Sequence, residues 1–195
     1  MDKNEDIYNR HFFERQARME APSAGAVAEI LTEAFHPRTL IDIGCGTGVY
    51  LLEFQKRGVE VAGYDASPAA LAGSLVGDKI RFHDLRTPLA LDRKFDLCLC
   101  IEVAEHLPLS AADILVRTLC GLADTVVFTA ATPGQGSPGI GHVNEQPHEF
   151  WMEKFNAHGF GTDEGVTEKL EGEMARRGVI WWIPKNLMIF KKRRI

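Results

Sequence analysis

Apolar residues along this chain recur with two different periods. Counting from Val27, residues Ile30, Leu31, Ala34 and Phe35 keep the i, i+3, i+4, i+7, i+8 spacing of one helix face, which predicts an amphipathic helix from Ala24 until Pro37 ends it. Five later runs are nearly continuous in apolar residues and read as buried strands: "RTLIDIG", "VEVAGYD", "KIRFHDL", "KFDLCLCIEV" and "DTVVFTAAT". Helical patterns separate them. "VYLLEFQKRG" has Gly58 placed as a C-terminal cap, and "SPAALAGSLV" has Ser67 as N-cap with Pro68 in the first helical position. "SAADILVRTLCGL" opens with Ser110 and Asp113 in capping-box spacing. After the fifth strand comes "PGQGSPGIGHVNEQP", then a short helix around Glu149 to Ala157, a polar segment holding "WWIP", and a last strand "NLMIFKK". Trp181 and Trp182 read as core.

Strands alternating with helices, with strands apolar on both faces, mean a parallel sheet covered on both sides. The expected fold is a doubly wound α/β sheet. A chain of 195 residues suits one domain, read here as 1–195 with an N-terminal helical segment 1–36 and an α/β core 37–195. A net charge of −5 weighs against a surface built to grip nucleic acid. The polar start "MDKNEDIYNR" and the lack of a long apolar run point to a cytoplasmic protein with no membrane span. Cys45, Cys98, Cys100 and Cys120 form no C-x-x-C pair and read as free thiols.

The chemistry concentrates where strands end. Gly44, Gly46 and Gly48 form a G-x-G-x-G turn after the first strand, and Asp42 precedes it. This differs from the G-x-G-x-x-G spacing of a dinucleotide fingerprint. A carboxylate at the turn would repel a pyrophosphate and suits a ligand with a positive group. Asp65 ends the second strand, where a carboxylate hydrogen-bonds a ribose diol. Asp84 is expected to end the third strand, where it can accept from an adenine amino group. Together the three acids describe an adenosine carrying a cationic amino-acid tail.

In "IDIGCGTG", "VAGYDAS", "IRFHDL" and "FDLCLCIEVAEHL" the chain resembles the class I S-adenosylmethionine-dependent methyltransferases of the E-V-x-E-H-L branch. The resemblance implies a Rossmann-like, mostly parallel seven-stranded sheet in the order 3-2-1-4-5-7-6 with the last strand antiparallel. It also implies a cofactor site of Asp42, Gly44, Cys45, Gly46, Gly48, Asp65, Ala66, Asp84, Leu85, Ile101 and Glu102, holding S-adenosylmethionine.

Methyl transfer needs an oriented acceptor and, for a hydroxyl, a base. Candidates are Glu105 and His106 after the fourth strand and His142 in the long loop. Alternatively, Glu102, Glu105, His106 and His142 hold a divalent metal, as in small-RNA 2′-O-methyltransferases, which the E-x-x-E-H pattern resembles. The leading expectation is transfer to a hydroxyl of a small metabolite, sugar or natural product, without a metal. The alternatives are metal-dependent RNA 2′-O-methylation, or cofactor binding without catalysis. Tyr8, Phe12 and Phe13 either fold over the cofactor or pack on the sheet edge.

Overall fold

The computed structural model describes residues 7–135 and 141–193, so part of the Gly/Pro-rich loop, the first six residues and the end of the "KKRRI" tail lie outside the described residues. Its centre is a sheet of seven strands: β1 (Thr39–Ile43), β2 (Glu60–Asp65), β3 (Ile80–Phe82), β4 (Leu97–Ile101), β5 (Thr125–Thr129), β6 (Phe160–Thr162) and β7 (Met188–Lys192). They lie in the order β3-β2-β1-β4-β5-β7-β6, with β7 antiparallel to both neighbours and the other pairings parallel. The order reverses at β1, so the crevice between the ends of β1 and β4 is the switch point where such sheets bind ligands.

Among the described residues, seven α-helices cover the two faces: α1 (Arg10–Phe35), α2 (Val49–Lys56), α3 (Pro68–Ala72), α4 (Ala112–Leu122), α5 (His148–Ala157), α6 (Glu164–Arg176) and α7 (Trp182–Lys185). One apolar core joins α1, α2, α6 and α7 to residues such as Leu40, Leu99 and Ile189. The other joins α4 and α5 to Ile41, Cys98, Cys100 and Phe128. Alternate strand residues thus feed opposite layers. In the second core Phe155 and Phe190 stack at a centroid distance of 3.7 Å, with Trp151 fully buried beside Phe128. Among the described residues, no helix is long and apolar enough to cross a membrane.

Several local expectations hold. Asp65 ends β2, Gly58 follows α2, and Ser67 caps α3 by accepting from the Ala70 amide. Others change. α1 begins at Arg10 and runs unbroken through Pro22, so the aromatic N-terminal segment and the predicted helix are one element. Ser110 and Asp113 form no capping box: a 3-10 turn over Leu109–Ala111 precedes α4, and Asp113 pairs with Lys154 instead. The third strand stops at Phe82, two residues before Asp84. The polar segment holds β6 and α6. Only Leu170 and Met174 of α6 are buried, a stripe too narrow to show as amphipathic periodicity. Trp181 is 57% exposed, edge-on to Trp182 with Lys185 over its ring, and so is a surface residue.

Candidate functional site

The carboxyl ends of β1, β2 and β4 and the turn after β3 place the expected cofactor residues along one edge. Gly44, Gly46 and Gly48 all take positive φ, at 78°, 53° and 82°. The need for glycine is sharpest at Gly44, where a Cβ would lie 2.5 Å from Cγ2 of the buried Val103. The Gly44 and Cys45 amides donate to the Tyr64 carbonyl, tying the turn to β2. Asp65 then clasps the turn: its carboxylate accepts from the Gly46 and Ser67 amides, both at 2.8 Å. Burial raises its pKa, with those amides pulling the other way. Ala66 beside it is exposed, and Leu85 is buried against the core of β1 and β2. The Asp84 carboxylate receives the Arg86 guanidinium on both oxygens, at 2.9 and 2.9 Å, which lowers its pKa. Ile101 ends β4. Glu102 follows at φ 53°, rare for a residue with a side chain, and its amide is pinned to the Thr129 hydroxyl at 2.9 Å and the Thr129 carbonyl at 3.2 Å.

Asp42 is buried beneath the turn. Its carboxyl is pushed well above the usual range by desolvation and by the carboxylates of Glu20 and Asp65. Glu20, from α1, is a residue that the sequence reading did not single out. Burial, then the charge of Glu102, pushes its carboxyl up to about 7. Glu20 and Glu102 both keep some solvent contact despite their depth, as groups facing a cleft do. Asn186 donates to the Glu102 carboxylate at 3.0 Å. No local pattern marked Glu20 or Asn186, because what joins them to this edge is the packing of α1 and the loop before β7.

Beyond Glu102, a 3-10 turn over Ala104–His106 carries the second group. Glu105 is fully buried (0% exposed), and neither carboxylate oxygen has a hydrogen-bond partner among the described residues, although the Ala131 amide lies near enough to influence it. Desolvation, then the Glu102 charge, raises its pKa strongly. The long loop is stitched onto this turn: the Val143 and Asn144 amides donate to the Glu105 carbonyl at 2.8 and 3.1 Å. The docked loop sets the His142 ring edge-on to His106, with centroids 4.8 Å apart.

The two imidazoles have different partners. His142 Nδ1 lies 2.8 Å from Glu145 Oε1, and Glu145 Oε2 also accepts from the Gly134 amide at 2.7 Å. The carboxylate can only accept, so Nδ1–H donates and Nε2 is the nitrogen left to exchange a proton. Burial, then His142, depresses the His106 pKa to about 4, so His106 is neutral at neutral pH. Its Nδ1 meets the Tyr8 hydroxyl at 2.9 Å and the Gly141 carbonyl at 3.3 Å. Gly141 has φ 79°, and a Cβ there would strike the Tyr8 oxygen at 2.7 Å. Ligand atoms of Glu105, His106 and His142 lie within 4.8 Å of one another. Glu102, the fourth member of the expected metal set, is outside that group.

The N-terminal arm crosses this edge. The Tyr8 carbonyl accepts from the Ser67 hydroxyl at 3.1 Å, Phe13 faces Gly46, and the Tyr8, Phe12 and Phe13 rings pack edge-on or tilted. One segment therefore touches both the glycine turn and His106.

The fold and the sequence match known proteins. Residues 13–164 match the family model described as "Methyltransferase domain". A magnesium protoporphyrin IX methyltransferase of Arabidopsis thaliana is 29% identical over 102 residues, 49% of this chain and 33% of that protein. A ubiquinone biosynthesis O-methyltransferase of Pseudomonas paraeruginosa is 31% identical over 85 residues, 36% of this chain and 34% of its own length. The matches thus span about a third of these curated relatives. Among solved structures, Streptomyces venezuelae DesVI superposes with a TM-score of 0.70 at 16% identity, covering 99% of this chain and 100% of that one. An amino pentose methyltransferase of Micromonospora echinaspora, solved with S-adenosylmethionine bound, superposes at 0.62 and 19% identity, covering 92% and 95%. With the family model spanning most of its length, the chain belongs to the methyltransferase-domain family, the class I S-adenosylmethionine-dependent methyltransferases.

Proposed function

We propose that this chain binds S-adenosylmethionine across the ends of β1, β2 and β4 and transfers its methyl group to a hydroxyl of a small molecule. The residues fit the cofactor's charge. Asp42, Glu20 and Glu102 gather at the glycine turn, the charges found to act on Asp42 and Glu20 are all carboxylates, and the turn offers backbone that a side chain at Gly44 would block. When bound, the cofactor supplies an electrophilic methyl on a sulfonium, so the leaving group needs no protonation.

The work left to the chain is positioning and proton removal. His142 is the base in this reading. The carboxylate of Glu145 orients its ring and would stabilise the imidazolium formed when Nε2 takes the acceptor's proton. This oriented pair, docked beside the E-V-x-E-H turn, is the observation that carries the proposal. Tyr8 and the aromatic arm cover the edge and keep water from the reacting atoms. Glu105 and neutral His106 line the acceptor side. The N-terminal segment and the α/β core act as one domain in this reading.

A second reading keeps the same cofactor and places a divalent cation on Glu105, His106 and His142. Two unpartnered, fully buried carboxylate oxygens beside two imidazoles favour it. The separating experiment is transfer of isotope-labelled methyl from S-adenosylmethionine into small-molecule and RNA fractions, with and without chelator. Label in the small-molecule fraction that survives chelation is the expected result. Loss of all transfer on chelation would install the metal reading, and label confined to RNA would overturn the acceptor class.

Asp65→Ala removes the acceptor for two backbone amides as well as the ribose partner. S-adenosylhomocysteine should bind it at least ~100-fold more weakly by calorimetry. Affinity within threefold of the parent would argue that Asp65 serves only the apo turn.

A further inference from the structure

Beside the glycine turn, α1 and α3 lie next to each other without closing the space between them. The side chains there are too small to interdigitate. Helix α3 ends at Ala72 with Gly73 as its cap, and Ala17 faces them from α1. A cavity of about 420 Å³ remains, with Phe13 and the 46% exposed Leu75 among its walls. Protein interiors are close-packed, and a space of this size falls in the range of small-molecule sites. The cavity is separate from the site described above. None of the residues read as holding the cofactor, and none of Glu105, His106 and His142, lines it; it meets the turn only at Thr47.

The charges on its α1 side define what it would hold. Arg10 donates to the Glu14 carboxylate at 2.8 Å, so those two charges offset each other. Arg18, one turn further along α1, makes no ion pair or side-chain hydrogen bond among the described residues. The lining therefore carries one unmatched positive charge, on a chain whose net charge is −5. A guanidinium takes a carboxylate on two parallel N–H bonds, and apolar walls favour an apolar body behind that carboxylate. A cation would be repelled, and a neutral molecule would gain nothing from Arg18.

We infer that this cavity is an effector site for a small apolar monocarboxylate, aryl or short-chain alkyl, whose binding stiffens the glycine turn. Both walls lean on that turn. Carbons of the Phe13 ring lie 3.6 Å from where a Cβ on Gly46 would sit. From the other side, the Leu75 amide donates to the Thr47 carbonyl at 2.9 Å, and Thr47 Cγ2 lies 3.2 Å from the Cβ position of Gly73. An occupant that ties α1 to α3 therefore holds the turn from both sides. The inference goes beyond the methyl-transfer reading and does not depend on it.

Benzoate is the probe, titrated by calorimetry into the full chain. Benzamide and acetate are the controls, one lacking the charge and the other the apolar body. Benzoate should saturate one site with a Kd on the order of 1 mM, roughly 5- to 10-fold tighter than either control. Arg18→Ala should weaken it roughly 5- to 10-fold. Ala72→Phe keeps every charge and fills the cavity, so saturable binding should vanish. Both positions are exposed, so neither variant threatens the fold. Hydrogen exchange at the backbone amides of residues 44–48 should slow roughly three- to tenfold in saturating benzoate, and not in Ala72→Phe. Absence of saturable benzoate binding, binding that neither variant weakens, or unchanged exchange at the turn would overturn the inference. Displacement of benzoate by S-adenosylhomocysteine would sink it too, by giving Arg18 to that ligand's own carboxylate. Failure of S-adenosylhomocysteine to bind counts against the methyl-transfer reading alone, since benzoate binding and exchange are read without it.

Discussion

His142→Gln is expected to lower kcat by roughly 10²–10⁴-fold, the span of a lost general base, while S-adenosylhomocysteine binds within threefold of the parent. The expectation comes from the pairing of His142 with Glu145 and from the position of the ring beside His106. His106→Gln should cost less. The His106 pKa lies near 4, so its imidazole stays neutral at working pH and makes a poor proton acceptor there. It also predicts a difference in the pH profile. A base protonates as pH falls, so activity is lost through its pKa on the acid side. If His106 were the base, the acid limb of kcat would fall near pH 4. A limb that lies elsewhere and disappears in the His142 variant supports His142. A kcat unchanged in His142→Gln would sink the assignment.

Gly44→Ala should damage fold and binding together. The backbone at φ 78° disfavours any side chain, and the new methyl would lie 2.5 Å and 2.7 Å from the two γ-carbons of Val103. Val103 is buried and β-branched, so it has little room to turn away. Strain and overpacking together amount to about 2–4 kcal/mol, lowering Tm by roughly 5–15 °C. Gly77→Ala is the matched control: its φ is 62°, and no atom lies within 4 Å of the added Cβ. A thermal melt in which both variants lose equal stability would show that φ alone matters and that the Val103 contact is soft.

Much of the frame was legible because its signals are local. Continuous apolar runs made β1, β2, β4 and β5 visible, and Asp65 could be placed at a strand end by counting along one run. The short β3 misled: "KIRFHDL" reads as a strand that reaches Asp84, yet pairing stops at Phe82 and Asp84 turns to Arg86. Helix α6 was hidden by its polarity, since two buried residues suffice to dock it. The Ser110 signal failed because a 3-10 turn after Pro108 displaces the start of α4.

By itself the sequence determined a doubly wound sheet, a glycine turn flanked by the acids of the first two strands, and hence the family. Those features depend on residue period and on φ requirements, which act within a few positions. The tertiary structure decided the rest. His142 reaches His106 only because the loop amides at Val143 and Asn144 bond the Glu105 carbonyl. Glu20 joins Asp42 and Glu102 only because α1 lies across α2 and the sheet edge. Such meetings depend on how elements pack in space, and periodicity along the chain carries no record of that distance.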